Sequence, residues 1–340
     1  MMKAKRLEFL DIAKGLLILM VIIGHFKVMA IMCFSLNVPE INDFSAINHF
    51  WISFFMPAFF VITGYCSSFD RDFKTFLYKS FRTILLPAII FSTITQFFVY
   101  CAGGASLIWN IKTVLKSVFI NGAEEYWFCN ALFMARLMCW VGNRFRNIYN
   151  PLLIFLILGC LGIYLYDSSC VYNYWNFQHT LVCVLFMWIG HVIRKKGNLL
   201  FITKGWIFMI SYLVLFLSSF VLDVNIPAIH NKMTVNFWDY PYLLILALTG
   251  TLGIIFISSQ IEKWGGIGKI IAYMGKNSLI LYLSHFLFYR LYIYVFYPML
   301  VKHNVEAIVT TFFVFVITVL SCCALAWIMN YKLLKWIIGK

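Results

Sequence analysis

Long apolar runs recur along the whole chain and constrain what it can fold into. Taking runs of about 17 to 25 mostly apolar residues as membrane spans, we predict ten, at 12–32, 48–68, 84–102, 126–142, 151–167, 177–193, 205–222, 239–259, 277–297 and 306–330. Hydrophobic residues make up 63% of the 340 residues and charged residues 12%, whereas soluble domains are about a quarter charged. The predicted fold class is therefore all-α, a polytopic membrane helix bundle of about ten transmembrane helices.

The basic residues predict the orientation of this bundle. An even number of spans puts both termini on one side of the membrane. If that side is the cytoplasm, 19 of the 27 Lys and Arg residues lie in inside segments, five in outside segments and three within spans. Since cytoplasmic loops carry an excess of Lys and Arg, we expect cytoplasmic termini and a multi-pass protein of a bacterial-type cytoplasmic (inner) membrane, in contact with membrane lipid.

Charge and cysteine content exclude several other classes of protein. The net charge of +14 comes from short basic clusters between apolar runs, which indicates membrane topology and no nucleic-acid partner. The ten cysteines show neither the paired spacing of zinc ligands nor a disulfide framework, so no metal is expected. The connections are short, and we predict a single transmembrane domain over 1–340.

The first run carries ionisable side chains at lipid depth, where such residues are rare and usually functional. Lys14 and His25 stand eleven positions apart, so on a helix they share one face about 16 Å apart along the axis. Asp11, three positions before Lys14, is expected to neutralise or orient it. On spacing alone, an equally good interpretation is a lysine that snorkels to the headgroups and a histidine bonded to a neighbouring helix.

Span nine contributes a second imidazole, that of His285. At 1.5 Å per residue this side chain lies about 12 Å into the bilayer. Spans one and nine run in the same direction, so His25 and His285 are expected to face one cavity. A lone histidine on an apolar face is more often part of a core, but two histidines with buried cations nearby favour a site.

Two more clusters are candidates for chemistry at the membrane edges. Lys79 and Arg82 share a helical face where the chain enters span three, which suits phosphate binding, although a topology-setting basic loop is the simpler interpretation. Glu125 follows Glu124 at the predicted outer edge of span four. Two adjacent carboxylates tend to raise one pKa, which suits acid/base or hydroxyl-orienting work. A solvated pair is as plausible on these grounds.

Several segments, in chain order, carry a resemblance to a known family. They are Leu10–His25, the Met-Pro-Ala-Phe-Phe segment within 55–65, Lys79-x-x-Arg82-x-x-x-x-Pro87, Trp127-Phe128 and Gly275–His285. Together they resemble the acyltransferase-3 family of integral membrane O-acyltransferases, in particular the branch with fucose 4-O-acetylase and the nodulation-factor acetyltransferases. The sequence departs from the family pattern at Phe55, where many members have His, and at Lys79, where Arg is usual.

The resemblance implies ten core helices, cytoplasmic acyl-CoA as donor and a hydroxyl of an extracytoplasmic glycan or lipid-linked sugar as acceptor. It makes Lys14 and His25 the central pair and assigns the donor to the basic start of span three. We therefore predict an O-acetyltransferase with acetyl-CoA as the default donor. The catalytic candidates are His25, Glu125 and His285, the donor-binding candidates are Lys14, Lys79 and Arg82, and Asp11 is the orienting residue.

Two questions stay open at the level of sequence. His25 either removes a proton from the acceptor hydroxyl or is itself transiently acylated, and both routes need a neutral imidazole. The rival class is a transporter or flippase for a lipid-linked glycan or small solute, without acyl chemistry, which buried charges and many spans also fit. The two halves of the chain show no convincing internal repeat, and this favours the enzyme.

Overall fold

The apolar runs of the sequence fold into helices. The computed structural model describes residues 7–34, 50–103, 111–112, 115–116, 126–167, 174–197, 204–224, 226, 237–302, 307–331 and 334–338, and the regular structure in these ranges is helical. The helices are α1 (Glu8–Phe34), α2 (Phe55–Cys66), α3 (Phe73–Ser80), α4 (Leu86–Gly103), α5 (Trp127–Gly142), α6 (Tyr149–Asp167), α7 (Phe177–Lys196), α8 (Gly205–Val221), α9 (Tyr240–Ile261), α10 (Gly266–Lys276), α11 (Ser278–Lys302) and α12 (Ala307–Met329).

Each predicted span overlaps one of these helices, so the all-helical membrane class is confirmed. In the described ranges, four stretches are long and apolar enough to cross a membrane, namely Phe73–Phe98, Phe177–Lys196, Tyr240–Trp264 and Phe312–Met329. Shorter apolar helices cover Phe55–Cys66, Trp127–Gly142, Tyr149–Tyr164 and Gly205–Val221. The number of ten crossings and the cytoplasmic termini stay predictions.

The second predicted span is shorter than expected. The span was predicted over 48–68, but α2 begins only at Phe55. Pro57 therefore lies in the first turn of the helix, where its missing N–H removes no helical hydrogen bond. At the other end of α2, a Cβ on Gly64 would lie 1.8 Å from the carbonyl oxygen of Met187, so only glycine permits this close approach to α7.

The chain divides into two compact units. Unit 1 comprises Met1–Ile62, Gly197–Ile226 and Pro241–Cys323, and unit 2 comprises Thr63–Lys196, Pro227–Tyr240 and Ala324–Lys340. In unit 1, α1 packs against α10 and α11. In unit 2, α7 packs against α5 and α6. The prediction of one transmembrane domain over 1–340 stays a prediction.

Glycines on both helices bring α1 and α10 into backbone contact. A Cβ on Gly15 would lie 2.1 Å from the carbonyl oxygen of Ile271, and a Cβ on Gly275 would lie 1.7 Å from that of Asp11. Since these are backbone atoms, no side-chain rotation relieves either clash. Small residues at such a crossing let membrane helices pack closely, and here they fix the half of α1 that carries Asp11 and Lys14.

Arg136 lies within α5, where a charge needs partners to be tolerated. Its Nη1 donates to Ser67 Oγ at 2.8 Å and its Nε donates to Ser80 Oγ at 3.2 Å. The guanidinium carbon also lies 5.2 Å from the centre of the Phe76 ring. Arg136 thus ties α5 to the connection after α2 and to the end of α3, which gives this span cation a structural role in unit 2.

Gly275→Ala is expected to destabilise the protein, because the added methyl group must push α10 away from α1. Overpacking of this kind costs about 1–3 kcal/mol, so the thermal unfolding midpoint in detergent should fall. The matched control is Gly266→Ala in the same helix, since a Cβ there meets nothing within 4 Å. Equal midpoints for the two variants would contradict the crossing described here.

Arg136→Gln is expected to lower the free energy of unfolding by about 1.5–3 kcal/mol, the scale of hydrogen bonds from a charged donor. Arg146→Gln is the control, because the Arg146 side chain is exposed and has no hydrogen bond or ion pair in the described part of the chain. The measurement is again thermal unfolding of the purified protein. A midpoint for Arg136→Gln as high as that of the control would refute the structural role.

Candidate active site

The two predicted imidazoles meet in unit 1. The ring centres of His25, on α1, and His285, on α11, lie 5.1 Å apart with the ring planes inclined at 46°. The helices are held in this register by a buried hydrogen bond in which Tyr289 Oη donates to the carbonyl oxygen of Ile22 at 2.8 Å. The two histidines that were expected to face one cavity are therefore neighbours, and their role as site residues stays a prediction.

Each imidazole has one nitrogen held by its own helix. His25 Nδ1 lies 2.9 Å from the carbonyl oxygen of Val21, and His285 Nδ1 lies 2.6 Å from that of Tyr282. A carbonyl oxygen only accepts hydrogen bonds, so Nδ1 carries the proton in both rings. In the neutral imidazole the lone pair therefore lies on Nε2 of each histidine, and Nε2 is the atom available as base or nucleophile.

The two rings differ in their access to the surroundings. His285 is fully buried, and its Nε2 has no hydrogen-bond partner in the described part of the chain. A buried polar atom left unpaired costs about 1–3 kcal/mol, a cost that a ligand donating to this atom would remove. His25 is only partly buried, so a molecule that reaches the pair meets this ring first.

Aromatic side chains shape the surroundings of the pair. The Phe286 ring centre lies 4.8 Å from that of His25 and 4.1 Å from that of His285. Tyr282 and Tyr289 lie on the same helix before and after His285, and their ring centres are 5.7 and 6.2 Å, respectively, from that of His285. These neighbours were not predicted from the sequence. Tyr282 and Tyr289 stand three residues before and four after His285, a spacing that could have indicated a shared helix face, whereas the position of Phe286 directly after His285 gives no such signal.

Asp11 and Lys14 form the expected ion pair. Lys14 Nζ lies 2.8 Å from Asp11 Oδ1, and the Asp11 side chain is 3% exposed while that of Lys14 is 22% exposed. Because α1 is continuous from Glu8 to Phe34, Lys14 and His25 are separated by about 16 Å along the axis. Lys14 therefore does not touch the imidazole pair, and Asp11 compensates much of its charge.

Lys79 and Arg82 flank a change of helix type in unit 2. Lys79 is the penultimate residue of α3, and Arg82 lies in the π-helical turn Phe81–Leu85 that joins α3 to α4. Lys79 is exposed and Arg82 is partly buried, and neither side chain has an ion-pair partner in the described ranges. Two uncompensated cations beside a π-turn, a feature frequent at functional sites, are compatible with the predicted phosphate contact.

The remaining predicted catalytic residue, Glu125, lies outside the described residues, as does its neighbour Glu124. The structure therefore says nothing of their position. A third polar group of interest is instead visible in unit 2. There Asn143 Nδ2 donates to Asp70 Oδ1 at 2.9 Å, and Asn143 Oδ1 accepts from Lys195 Nζ at 2.9 Å.

This Asn143 cluster could not be predicted from the sequence, because its members are far apart in the chain. A basic residue such as Lys195, at the end of a predicted span, is explained by membrane topology alone. The hydrogen bond from Asn143 is the main cause that holds the pKa of Asp70 below its ordinary value, with the positive charge of Lys195 adding to it. His191 also reaches Asn143 Oδ1, with its Nε2 at 3.2 Å. The cluster joins the connection after α2 to the ends of α5 and α7.

Comparison with known proteins assigns the family. A family model described as an acyltransferase domain, Acyl_transf_3, matches residues 7–327. No curated protein matches the chain, and no solved structure matches it. The matched region contains both histidines and the Asp11–Lys14 pair, together with most of the described helices. The chain therefore belongs to the acyltransferase-3 family and is a membrane acyltransferase.

Proposed function

We propose that this protein transfers an acyl group, with acetyl as the default, from acyl-CoA to a hydroxyl of an extracytoplasmic glycan or lipid-linked sugar. The proposed branch is that of fucose 4-O-acetylase and the nodulation-factor acetyltransferases, on the motifs quoted above. The observation that carries the chemistry is the pair of imidazoles in unit 1, each with its Nδ1 proton held by a carbonyl oxygen. Family membership supports acyl transfer, and the pair supplies the base that such a transfer needs.

In the proposed step, Nε2 of His25 removes the proton of the acceptor hydroxyl. The oxygen of that hydroxyl forms a bond to the thioester carbonyl carbon, and the carbon–sulfur bond of acyl-CoA then breaks. The CoA thiolate leaves and takes the proton back from Nε2, so the products are the ester and free CoA. The Val21 carbonyl oxygen stabilises the imidazolium formed midway, because it accepts from the opposite nitrogen.

His285 is the second proposed member of the site. Two imidazolium rings 5.1 Å apart would repel each other, so protonation of His25 during the reaction favours a neutral His285. Its buried Nε2 then accepts a hydrogen bond from an acceptor hydroxyl and orients it. Glu125, at the predicted outer edge of span four, is still proposed to orient the acceptor. In the alternative route the acyl group is carried transiently on Nε2 of His25, which is also the atom that acts as the base in the direct route.

The donor is proposed to be held by its phosphates. Lys79 and Arg82 supply two cations that no carboxylate of the described ranges neutralises, and phosphates bind most strongly to such groups. Lys14, in unit 1, keeps its own proposed part in donor binding. Its charge is partly compensated because Asp11 pairs with it, and we assign Asp11 the role of orienting the ammonium. The planar guanidinium of Arg82 can donate two parallel hydrogen bonds to one phosphate, whereas Lys79 offers a single ammonium group.

A transporter or flippase without acyl chemistry is the less favoured proposal. A transport site also uses buried polar groups, but family membership favours acyl transfer. Two imidazoles whose Nε2 atoms have no hydrogen-bond partner in the described ranges suit the proton transfer that this reaction needs. The two classes differ in one observable, the appearance of a new ester in the membrane glycan.

His25→Ala and His25→Gln are expected to lower acyl transfer at least about 100-fold, the typical contribution of a general base. The measurement is incorporation of radiolabelled acetyl from acetyl-CoA into membrane glycan, in membranes with matched amounts of each variant. His191→Gln is the control, since it removes an imidazole of unit 2 and its amide retains a contact with Asn143. Full activity in either His25 variant would remove this ring from the mechanism.

Arg82→Gln is expected to raise the KM for acetyl-CoA about tenfold, the scale of one lost charge-assisted hydrogen bond, with a smaller change in kcat and in the dependence on acceptor. Lys79→Arg should lower this KM or leave it unchanged, because the guanidinium keeps the charge and adds a second donor. Lys263→Gln, which removes an exposed cation of unit 1, is the control. An unchanged donor KM in Arg82→Gln would refute the assignment.

A further inference from the structure

Three helix ends of unit 2 enclose a cleft that the proposed reaction does not use. The cleft has a volume of about 450 Å³ and lies where α5 ends, α6 begins and α7 ends. We call it the cationic cleft. The lining side chains that matter for its chemistry are Asn143, Phe145, Arg146, Trp188, Lys195 and Lys196.

The cationic cleft carries positive charge that no lining group neutralises. Three of its lining side chains are cations, none of its lining residues is acidic, and none of the three forms an ion pair within the described ranges. Lys195 Nζ donates to the neutral amide oxygen of Asn143 at 2.9 Å, and its charge also acts on the carboxylate of Asp70, which does not line the cleft. Lys196 Nζ donates to Tyr149 Oη and lies 4.8 Å from the centre of the Tyr149 ring. The Arg146 guanidinium has no hydrogen-bond partner in the described part.

Such a concentration of cations without a partner anion in the lining suits a phosphate. The guanidinium of Arg146 and the two ammonium groups provide several N–H donors, and phosphate oxygens accept several charge-assisted hydrogen bonds at once. The indole of Trp188 adds no donor for these oxygens, because its Nε1 already donates to the carbonyl oxygen of Ile148 at 3.1 Å. The three cations are therefore the charged groups of the cleft that can bind a phosphate.

An exposed apolar stripe on α6 starts at the same place. Tyr149, whose ring lies under Lys196, is followed at intervals of four residues by Leu153, Ile157 and Leu161. These four side chains are 50%, 61%, 59% and 44% exposed, respectively. Residues four apart lie on one helix face, so the stripe runs continuously along α6 away from the cationic cleft.

We propose that the cationic cleft binds the phosphate of an anionic glycerophospholipid, whose acyl chains lie along the α6 stripe. Charge complementarity selects a phosphate, and the adjoining stripe selects a molecule with hydrocarbon chains. Basic pockets at the ends of membrane helices are suited to anionic headgroups. A soluble phosphate or nucleotide would contact the cations alone, whereas a phospholipid contacts the cations and the stripe with one molecule. This binding site is independent of the proposed acyl transfer.

The test uses the purified full-length protein in an uncharged detergent. Phosphatidylglycerol, phosphatidylcholine, glycerol 3-phosphate and CoA are added in turn, and bound ligand is measured by native mass spectrometry. Phosphatidylglycerol should bind at least about tenfold more tightly than phosphatidylcholine, the scale of one charge-assisted contact, and more tightly than glycerol 3-phosphate. Equal binding of the two lipids, or saturation by glycerol 3-phosphate or CoA without a lipid preference, would overturn the proposal.

Two variants locate the binding. Arg146→Gln and Lys196→Gln should each weaken phosphatidylglycerol binding about tenfold. Arg146→Gln should leave the unfolding midpoint unchanged, because its side chain has no hydrogen bond or ion pair to the described residues. Lys269→Gln, an exposed cation of unit 1 outside the cleft, is the matched control and should bind as the unaltered protein does. Loss of binding in the control as large as in Arg146→Gln would show that the lipid responds to overall charge, and would refute the site.

Discussion

The close contact of α1 with α10 and α11 underlies everything proposed for the active site. Glycine at 15 and at 275 lets the backbones of α1 and α10 touch, and one buried hydrogen bond from Tyr289 to Ile22 sets the register of α11 against α1. In membranes, helix association depends on close packing and on such internal hydrogen bonds, since lipid tails are as apolar as the helices. A shift of one turn between α1 and α11 would move the imidazoles about 5 Å apart along the axis.

The chemistry of the imidazole pair depends on where the backbone carbonyls lie. Each ring is oriented by a carbonyl of its own helix, at positions 21 and 282, and so each presents the same nitrogen to the site. The helix itself therefore supplies the orienting group that a carboxylate supplies in many catalytic histidine sites. This solution suits an apolar interior, because it adds no buried charge that would need its own partner.

The cations of this chain have three different roles, and the groups that each cation contacts show which role it has. Arg136 is held by two hydroxyl groups and an aromatic ring, and its role is structural. Lys14 is neutralised by Asp11 and acts with it as one unit. Arg82 and Arg146 have no ion-pair partner in the described part of the chain, and they are assigned to ligand phosphates. A positive-inside count treats all of these residues alike, because it records number and position only.

The sequence by itself determined the all-helical membrane class, because apolar runs of this length have few other stable forms, and it placed most of the long apolar helices to within a few residues. The short helices α3 and α10 lie outside every predicted span. Spacing along one helix also predicted the Asp11–Lys14 pair, since residues three apart are neighbours on any α-helix. Only the tertiary structure decided that α2 begins at Phe55, that Arg136 is internally satisfied and that a cationic cleft forms beside α6. These features depend on contacts between residues far apart in the chain, which helical periodicity does not encode.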